Sequence, residues 1–228
     1  MVNNQNFEII IAHYNEDLEW LRPYAENVII YHKWNETQPR FPVKKWIKLE
    51  NVWREGHTYL YHIIHNYDNL ADVSVFLQWN ISDHNEDWWI YNSIDEYIEE
   101  SKKIGFSTAK LALLFRKEPQ IIWKWKFKEM IEKDDLKWKI NTFSEFYNII
   151  FHKKQPFIIP TFYCGNFAVS KKRILQRKKN FYENILQYLN TSSNPIEWHF
   201  LERLWAEIFT KNFFIDYKLI LKYLTKYV

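Results

Sequence analysis

NVWREGHTYLYHIIHNYDNLADVSVFLQWNISDH, residues 51–84, is the stretch whose reading decides the fold. Tyr59, Leu60, Ile63, Ile64 and Tyr67 recur at helical spacing, which predicts an amphipathic helix from about Arg54 to Tyr67. Val73–Leu77 (VSVFL) is a short, β-branched apolar run and reads as a buried strand. A helix feeding a buried strand is the second half of a β-α-β crossover, the unit of a parallel sheet. Polar residues stand at both ends of this unit: Asn51, Arg54, Glu55 and His57 before the helix, then Gln78, Asn80, Asp83 and His84 after the strand. In α/β sheets ligands sit at the carboxyl ends of strands, so these residues are expected to form one site.

Upstream the pattern repeats. Phe7–Ala12 (FEIIIA) and Asn27–Tyr31 (NVIIY) read as buried strands, with a helix expected over Glu16 to Glu26, capped by Asn15 and carrying acids in its first turn. Residues 34–50 hold Pro39 and Pro42 and read as irregular, with a short strand at Trp46–Leu49. Downstream, Ser93 and Glu96 form a capping box for a helix to Lys103, with Gly105 at its stop, and Thr142 and Glu145 do the same for a helix to His152. Pro156–Ala168 reads as one strand bending at Gly165. Ser170 is placed as the cap of a helix over Lys171–Arg177, followed by a second over Phe181–Leu189. Pro195 fits the first turn of a helix reaching Phe209, with Trp198, Leu201, Trp205 and Ile208 on its core face and His199, Glu202 and Arg203 beside them. Asp216–Val228 is expected to be an amphipathic helix. With no repeat or linker, residues 1–228 are expected to form a single domain.

Composition narrows the function classes. A net charge of +3 over 228 residues is too mild to point to duplex nucleic acid. No run reaches the roughly 18 apolar residues of a membrane helix. Cys164 is the one cysteine, and the first residues have no basic region, so a cytoplasmic protein is expected, with peripheral membrane contact left open. The 12 Trp, 15 Tyr and 17 Phe are enough both to fill a core and to line a stacking surface. Ile121–Lys128 (IIWKWKFK) alternates aromatic and Lys. It reads either as a platform for single strands or as an amphipathic strand whose lysines discourage edge pairing.

Three glycines rule out a Gly-rich phosphate loop and a dinucleotide fingerprint. Polar loops after buried strands remain. Tyr14 offers a stacking face, with Asn15 and Asp17 able to hold a ribose or base edge, although helix capping explains Asn15 and Asp17 equally well. Arg54 at a helix start opposes the dipole, which a diphosphate or a buried carboxylate would explain. Asp83 and His84 are able to ligate a divalent ion. Glu197 or Glu202 is able to act as a general base.

Five segments carry a family resemblance: AHYNEDLEWL (12–21), NVWREGHTYL (51–60), NYDNLADVSVFLQ (66–78), GNFAVS (165–170) and ERLW (202–205). Together they resemble an uncharacterised domain family along its whole length. The N-terminal strand, its Tyr-Asn-acid loop and the following helix and strand also resemble, more remotely, the start of GT-A glycosyltransferases. That second resemblance implies a GT-A-like, nucleotide-diphospho-sugar transferase type of α/β fold with a mainly parallel central sheet flanked by helices. It further implies that Tyr14, Asn15 and Asp17 face the nucleotide, and that Asn51 and Arg54 approach its sugar. Gln78 and Asn80 would take the place of the metal-binding acidic motif, Gly165 and Asn166 would line the acceptor side, and Glu202 or Glu197 would be the base. Gln78 and Asn80 are neutral. Mn²⁺ or Mg²⁺ would then be held by Asp83, His84 and His199, or be dispensed with in favour of the cations Arg54 and Lys33.

The expected function is transfer of a sugar from a nucleotide sugar to a glycan or other hydroxyl acceptor. The alternative is a non-catalytic carbohydrate- or single-strand nucleic-acid-binding protein that uses a Trp/Lys-rich surface.

Overall fold

The computed structural model describes residues 6–34, 40–51, 54–78, 93–108, 112–115, 140, 142–162, 165–189 and 196–210; for Arg54, residues 112–115 and Ile196 it gives the backbone alone. Three parallel strands open the chain: β1 (Phe7–His13), β2 (Val28–His32) and β3 (Lys45–Lys48). Helix α1 (Arg54–His65) then crosses back to β4 (Val73–Gln78), which pairs parallel with β1 on its other side. Helix α2 (Ile94–Ile104) leads to β5 (Phe106–Thr108). β6 (Ala112–Phe115) pairs antiparallel with β7 (Ile158–Thr161) in a second, two-stranded sheet. β8 (Phe167–Ser170) returns to the main sheet, antiparallel to β4 and β5. Among the described residues the main sheet is six-stranded, in the order β3-β2-β1-β4-β8-β5, and mainly parallel. The remaining helices are α3 (Phe143–Phe151), α4 (Lys171–Ile174), α5 (Lys179–Gln187), α6 (Ile196–Glu202) and α7 (Trp205–Thr210).

Strand periodicity divides the core into two. Ile10, Ala12, Ile29, Tyr31, Phe76, Phe167 and Val169 face α1, α3 and α5–α7. Ile9, Ile11, Val28, Ile30, Val73, Val75, Leu77 and Ala168 face α2 and a 3-10 helix over Glu19–Asn27. Covering both faces explains why these strands are apolar without alternation. Each fully buried Ile or Phe contributes roughly 1.5–3 kcal/mol. Among the described residues the buried aromatics lie largely in the first layer, where Phe76 and Phe167 approach to 5.1 Å and Trp205 and Phe209 stack at 5.8 Å.

Both capping boxes form as expected, at Ser93/Glu96 and Thr142/Glu145. Gly105 ends α2 with φ of 87°, a backbone that a side chain resists. Four expectations are corrected. The helix expected over Glu16–Glu26 is instead the 3-10 helix Glu19–Asn27: Pro23 has no N–H to donate to an α ladder, and Asp17 rather than Asn15 bonds its first turn (Oδ1 to Glu19 N, 2.9 Å). The single strand expected over Pro156–Ala168 is two strands, β7 and β8, in different sheets. The helix expected from Pro195 to Phe209 breaks at Arg203–Leu204, where the backbone tightens to i→i+3 bonds and the Arg203 guanidinium takes the His199 carbonyl. Ser170 precedes α4 without a side-chain cap bond, and α4 ends at Ile174 rather than Arg177. Cys164, the Ile121–Lys128 stripe and the expected C-terminal helix lie outside the described residues. No helix among the described residues is long and apolar enough to cross a membrane.

Candidate functional site

β1 connects to β2 on one side and pairs with β4 on the other, so the strand order reverses at the β1/β4 boundary. The crevice outside the carboxyl ends at such a reversal is where open α/β sheets bind ligands. Three further parts reach that edge. α1 runs antiparallel to the strands it joins, so its first turn stands there. β8 is antiparallel to β4, with Phe167 opposite Phe76, so Gly165 and Asn166 stand there too. α6 is laid against the start of α1 by Trp198, which covers Gly56.

Gln78 is the centre of the cluster. Its backbone N–H donates to Asn166 Oδ1 at 2.7 Å, and its side-chain amide donates to the carboxylate of Glu55 in the first turn of α1. Asn166 is buried, and Thr108 Oγ1 reaches its carbonyl at 3.4 Å. Gly165 closes the group so tightly that a Cβ there would lie 2.7 Å from Gln78 Nε2 and 2.9 Å from Glu55 Oε1. The glycine is needed for close approach, not for its backbone angle.

Lys33 faces the same space. Its N–H continues the β1–β2 ladder onto the His13 carbonyl (3.0 Å), which carries the residue one step past β2. The side chain is 6% exposed. Burial drives its ammonium down to about 8, against the opposing pull of the Glu55 carboxylate. His57, one turn into α1, is pushed down to about 4 by burial first and then by Lys33 and His65, so it is neutral at pH 7.

Glu197, on α6 next to Trp198, is 1% exposed, and neither carboxylate oxygen has a hydrogen-bond partner from any other described residue. Burial raises it to about 7. A buried carboxylate that meets no donor beyond its own backbone N–H is a locally unfavourable arrangement and a mark of functional sites. Glu202, one turn on, is half-buried and lies 3.6 Å from Arg203. Gly56→Ala tests how α6 is held: its Cβ would sit 2.0 Å from Trp198 Cζ3, inside buried packing. Loss of about 2–3 kcal/mol in urea unfolding is expected.

The other expected site residues distribute as follows. Tyr14 is exposed and its ring lies 4.6 Å from that of exposed Trp34, tilted by 31°, at the adjoining ends of β1 and β2. Asn15 and Tyr14 donate backbone N–H groups to the Glu16 carboxylate (3.0 and 2.9 Å), and Asp17 is taken up by its turn bond to Glu19. Asn51 is exposed before α1, and Arg54 is the first residue of that helix. Asn80, Asp83 and His84 lie outside the described residues. His199 is half-buried on α6. Among the described residues no group of three His, Cys, Asp or Glu side chains is arranged to hold a metal ion. Among the described residues the donors at the end of β4 are an amide and one carboxylate already bonded by that amide, beside a buried ammonium; these described donors alone do not fit a divalent cation.

Sequence reading passed over a buried pair on the opposite face of the same edge. His13 and His32 end β1 and β2 in register, their Nδ1 atoms are 3.0 Å apart, and Trp46 stacks on His32 at 4.7 Å. His13 Nε2 lies 3.0 Å from the Glu16 carbonyl. The carbonyl accepts an Nε2–H, so His13 Nδ1 accepts and His32 Nδ1 donates. The available signal was two histidines, each directly after a buried apolar run.

A family model described as "Protein of unknown function (DUF3431)" matches residues 9–216. This bears out the resemblance to an uncharacterised family drawn from the five segments. No curated protein matches the sequence. Among solved structures, the apo structure of the bifunctional glycosyltransferase WbbM is similar at a TM-score of 0.39 and 12% identity, over 96% of this chain and 43% of that one.

Proposed function

The chain belongs to the family of unknown function DUF3431, and for it we propose a glycosyl transfer at the carboxyl edge of β1, β2 and β4, from a nucleotide sugar to a hydroxyl acceptor. The observation that carries this reading is Glu197, a buried carboxyl group raised to about 7 on the helix that Trp198 packs against Gly56, in the same first turn of α1 from which Glu55 bonds Gln78. A carboxyl group titrating near neutrality is suited to take a proton from an alcohol in the transition state.

The exposed rings of the Tyr14–Trp34 pair supply an aromatic face for the nucleobase. Lys33, with Arg54 at the start of α1, meets the diphosphate, and Asn51 lies on the path to its sugar. Gln78, fixed by Asn166 and Glu55, offers its amide to sugar hydroxyls, with Gly165 and Asn166 on the acceptor side. Glu197 takes the acceptor proton as its oxygen attacks the anomeric carbon. The bond from that carbon to the diphosphate oxygen breaks, and the nucleoside diphosphate leaves with its charge against Lys33. No step is drawn through a metal ion, because the described donors do not fit one. Glu197 is favoured over Glu202, which has Arg203 beside it.

Nucleoside diphosphate release from a panel of nucleotide sugars, with mixed sugar and lipid-alcohol acceptors, tests the reading. Release by the native chain and its loss by at least about 100-fold in Glu197→Gln are expected. Equal release by both would remove Glu197 as the base, and no release from any donor would remove the transferase reading.

A further inference from the structure

Residues 171–179 read KKRILQRKK, six cations without an acid. The rest of the chain holds 25 Lys and Arg against 28 Asp and Glu, a net charge of −3, so this one segment reverses the sign of the whole protein. Two of the six are committed to the fold. Arg173 donates to the Ile104 carbonyl at 3.0 Å, and Arg177 lies over Phe151 (5.3 Å) and Phe181 (4.9 Å) while donating to the Ile208 carbonyl. Lys171, Lys172, Lys178 and Lys179 have no acidic partner among the described residues. Lys178 and Lys179 open α5, where there is no acid in the first turn and positive charge opposes the helix dipole. Nothing among the described residues accounts for cations at that place.

The surroundings extend the patch. Ser170 N–H donates to the Gly105 carbonyl at 2.9 Å, which sets the end of α2, with the exposed Lys103 in its last turn, next to the start of α4. Asp72 marks the rim, its carbonyl accepting the Lys171 N–H at 2.9 Å. In the middle stands Leu175, 43% exposed, in the turn between α4 and α5. β8 enters at Asn166 by the candidate site and leaves at Ser170, opposite Val73 at the start of β4. The basic patch therefore lies at the other edge of the sheet from the site.

We infer that this surface, Lys103, Lys171, Lys172, Lys178 and Lys179 around Leu175, docks the protein on a membrane whose headgroups are anionic. Charge complementarity gives the partner its sign. An exposed aliphatic side chain at the centre, rather than an aromatic one, suits the acyl boundary and offers no stacking face to a base. Each lysine near an anionic leaflet multiplies binding about fivefold, and the gain falls with salt. Docked this way, the carboxyl edge of β1 and β4 is turned away from the bilayer. The inference stands independently of the chemistry assigned to that edge.

Co-sedimentation of the full chain with vesicles tests it. The native chain is expected to pellet with phosphatidylcholine vesicles containing about 30% phosphatidylserine, not with phosphatidylcholine alone, and to be released at about 0.5 M salt. Replacing Lys171, Lys172, Lys178 and Lys179 together by Gln is expected to weaken binding more than about 100-fold at an unchanged Tm, and Leu175→Ser by a few-fold. If the fourfold variant does not fold, the pair Lys172→Gln and Lys178→Gln, both exposed positions, is expected to lose about 25-fold. Three outcomes would overturn the inference: a native chain left in the supernatant, folded variants that pellet equally well, or preference for a single-stranded RNA over anionic vesicles.

Discussion

Glu197→Gln is expected to stabilise the protein at pH 8 by about 2–3 kcal/mol, and by almost nothing at pH 4.5. The sign follows from the direction of the shift. Burial raises the carboxyl from its ordinary 4.5 to about 7, so between those values the folded state binds the proton that the unfolded state releases. Native stability therefore falls as pH climbs through this window and stays lower above it. A glutamine carries no charge at any pH, and the variant's stability is expected to be flat there. The same substitution removes the proposed base, so the rise of activity through pH about 7 is expected to vanish with the rate itself. Urea unfolding at a series of pH values, beside the pH–rate profile, checks both halves. A variant that is merely repacked would not abolish the pH dependence of stability and the rate together.

Lys33→Met is expected to act in the same two directions. The Lys33 ammonium is lowered from 10.5 to about 8, so the unfolded chain holds a proton that the folded chain has lost between those values. Native stability then rises as pH climbs from about 8 to 10.5, and the strain of the buried charge is fully present below 8. Methionine preserves most of the volume and removes the charge. A gain of about 1–3 kcal/mol at pH 7 is expected, shrinking toward pH 10.5, with Glu55 still bonded by Gln78. Affinity for nucleotide sugars is expected to fall about 100-fold, because the diphosphate loses its buried counter-charge. Chemical denaturation from pH 6 to 10.5 and direct binding of donor at pH 7 measure the two effects.

The strands were legible because their burial is complete: FEIIIA, NVIIY and VSVFL leave no alternative to a two-sided core, and each lies within two residues of its expected limits. Capping chemistry located α2 and α3 for the same local reason. What failed depended on contacts distant in sequence. β7 and β8 read as one apolar run because nothing local says that Ile158–Thr161 pairs with β6 while Phe167–Ser170 pairs with β4. The break between α6 and α7 is invisible in a pattern whose core positions, Trp198, Leu201, Trp205 and Ile208, are all buried as expected.

The candidate site was legible in part. Gln78 and Asn166, 88 positions apart, are joined by a hydrogen bond, a contact between two strand ends that no local pattern signals. Glu55 looked like a first-turn acid, yet its bond to Gln78 and its pull on Lys33 make it a hinge of the cluster. Asn15 and Asp17 looked like ligand groups, and Asp17 is used by its own turn. Trp34 gave no signal, because its contact with Tyr14 arises from two strand ends brought side by side.

The most direct measurement is the change in Tm of the native chain and of Lys33→Met across a panel of nucleotide sugars, each at saturating concentration. A rise of several degrees for the native chain with at least one donor, and its loss in Lys33→Met, is expected if the strand-end cluster holds a nucleotide diphosphate. No rise with any donor, or an equal rise in both proteins, would contradict the assignment of the site.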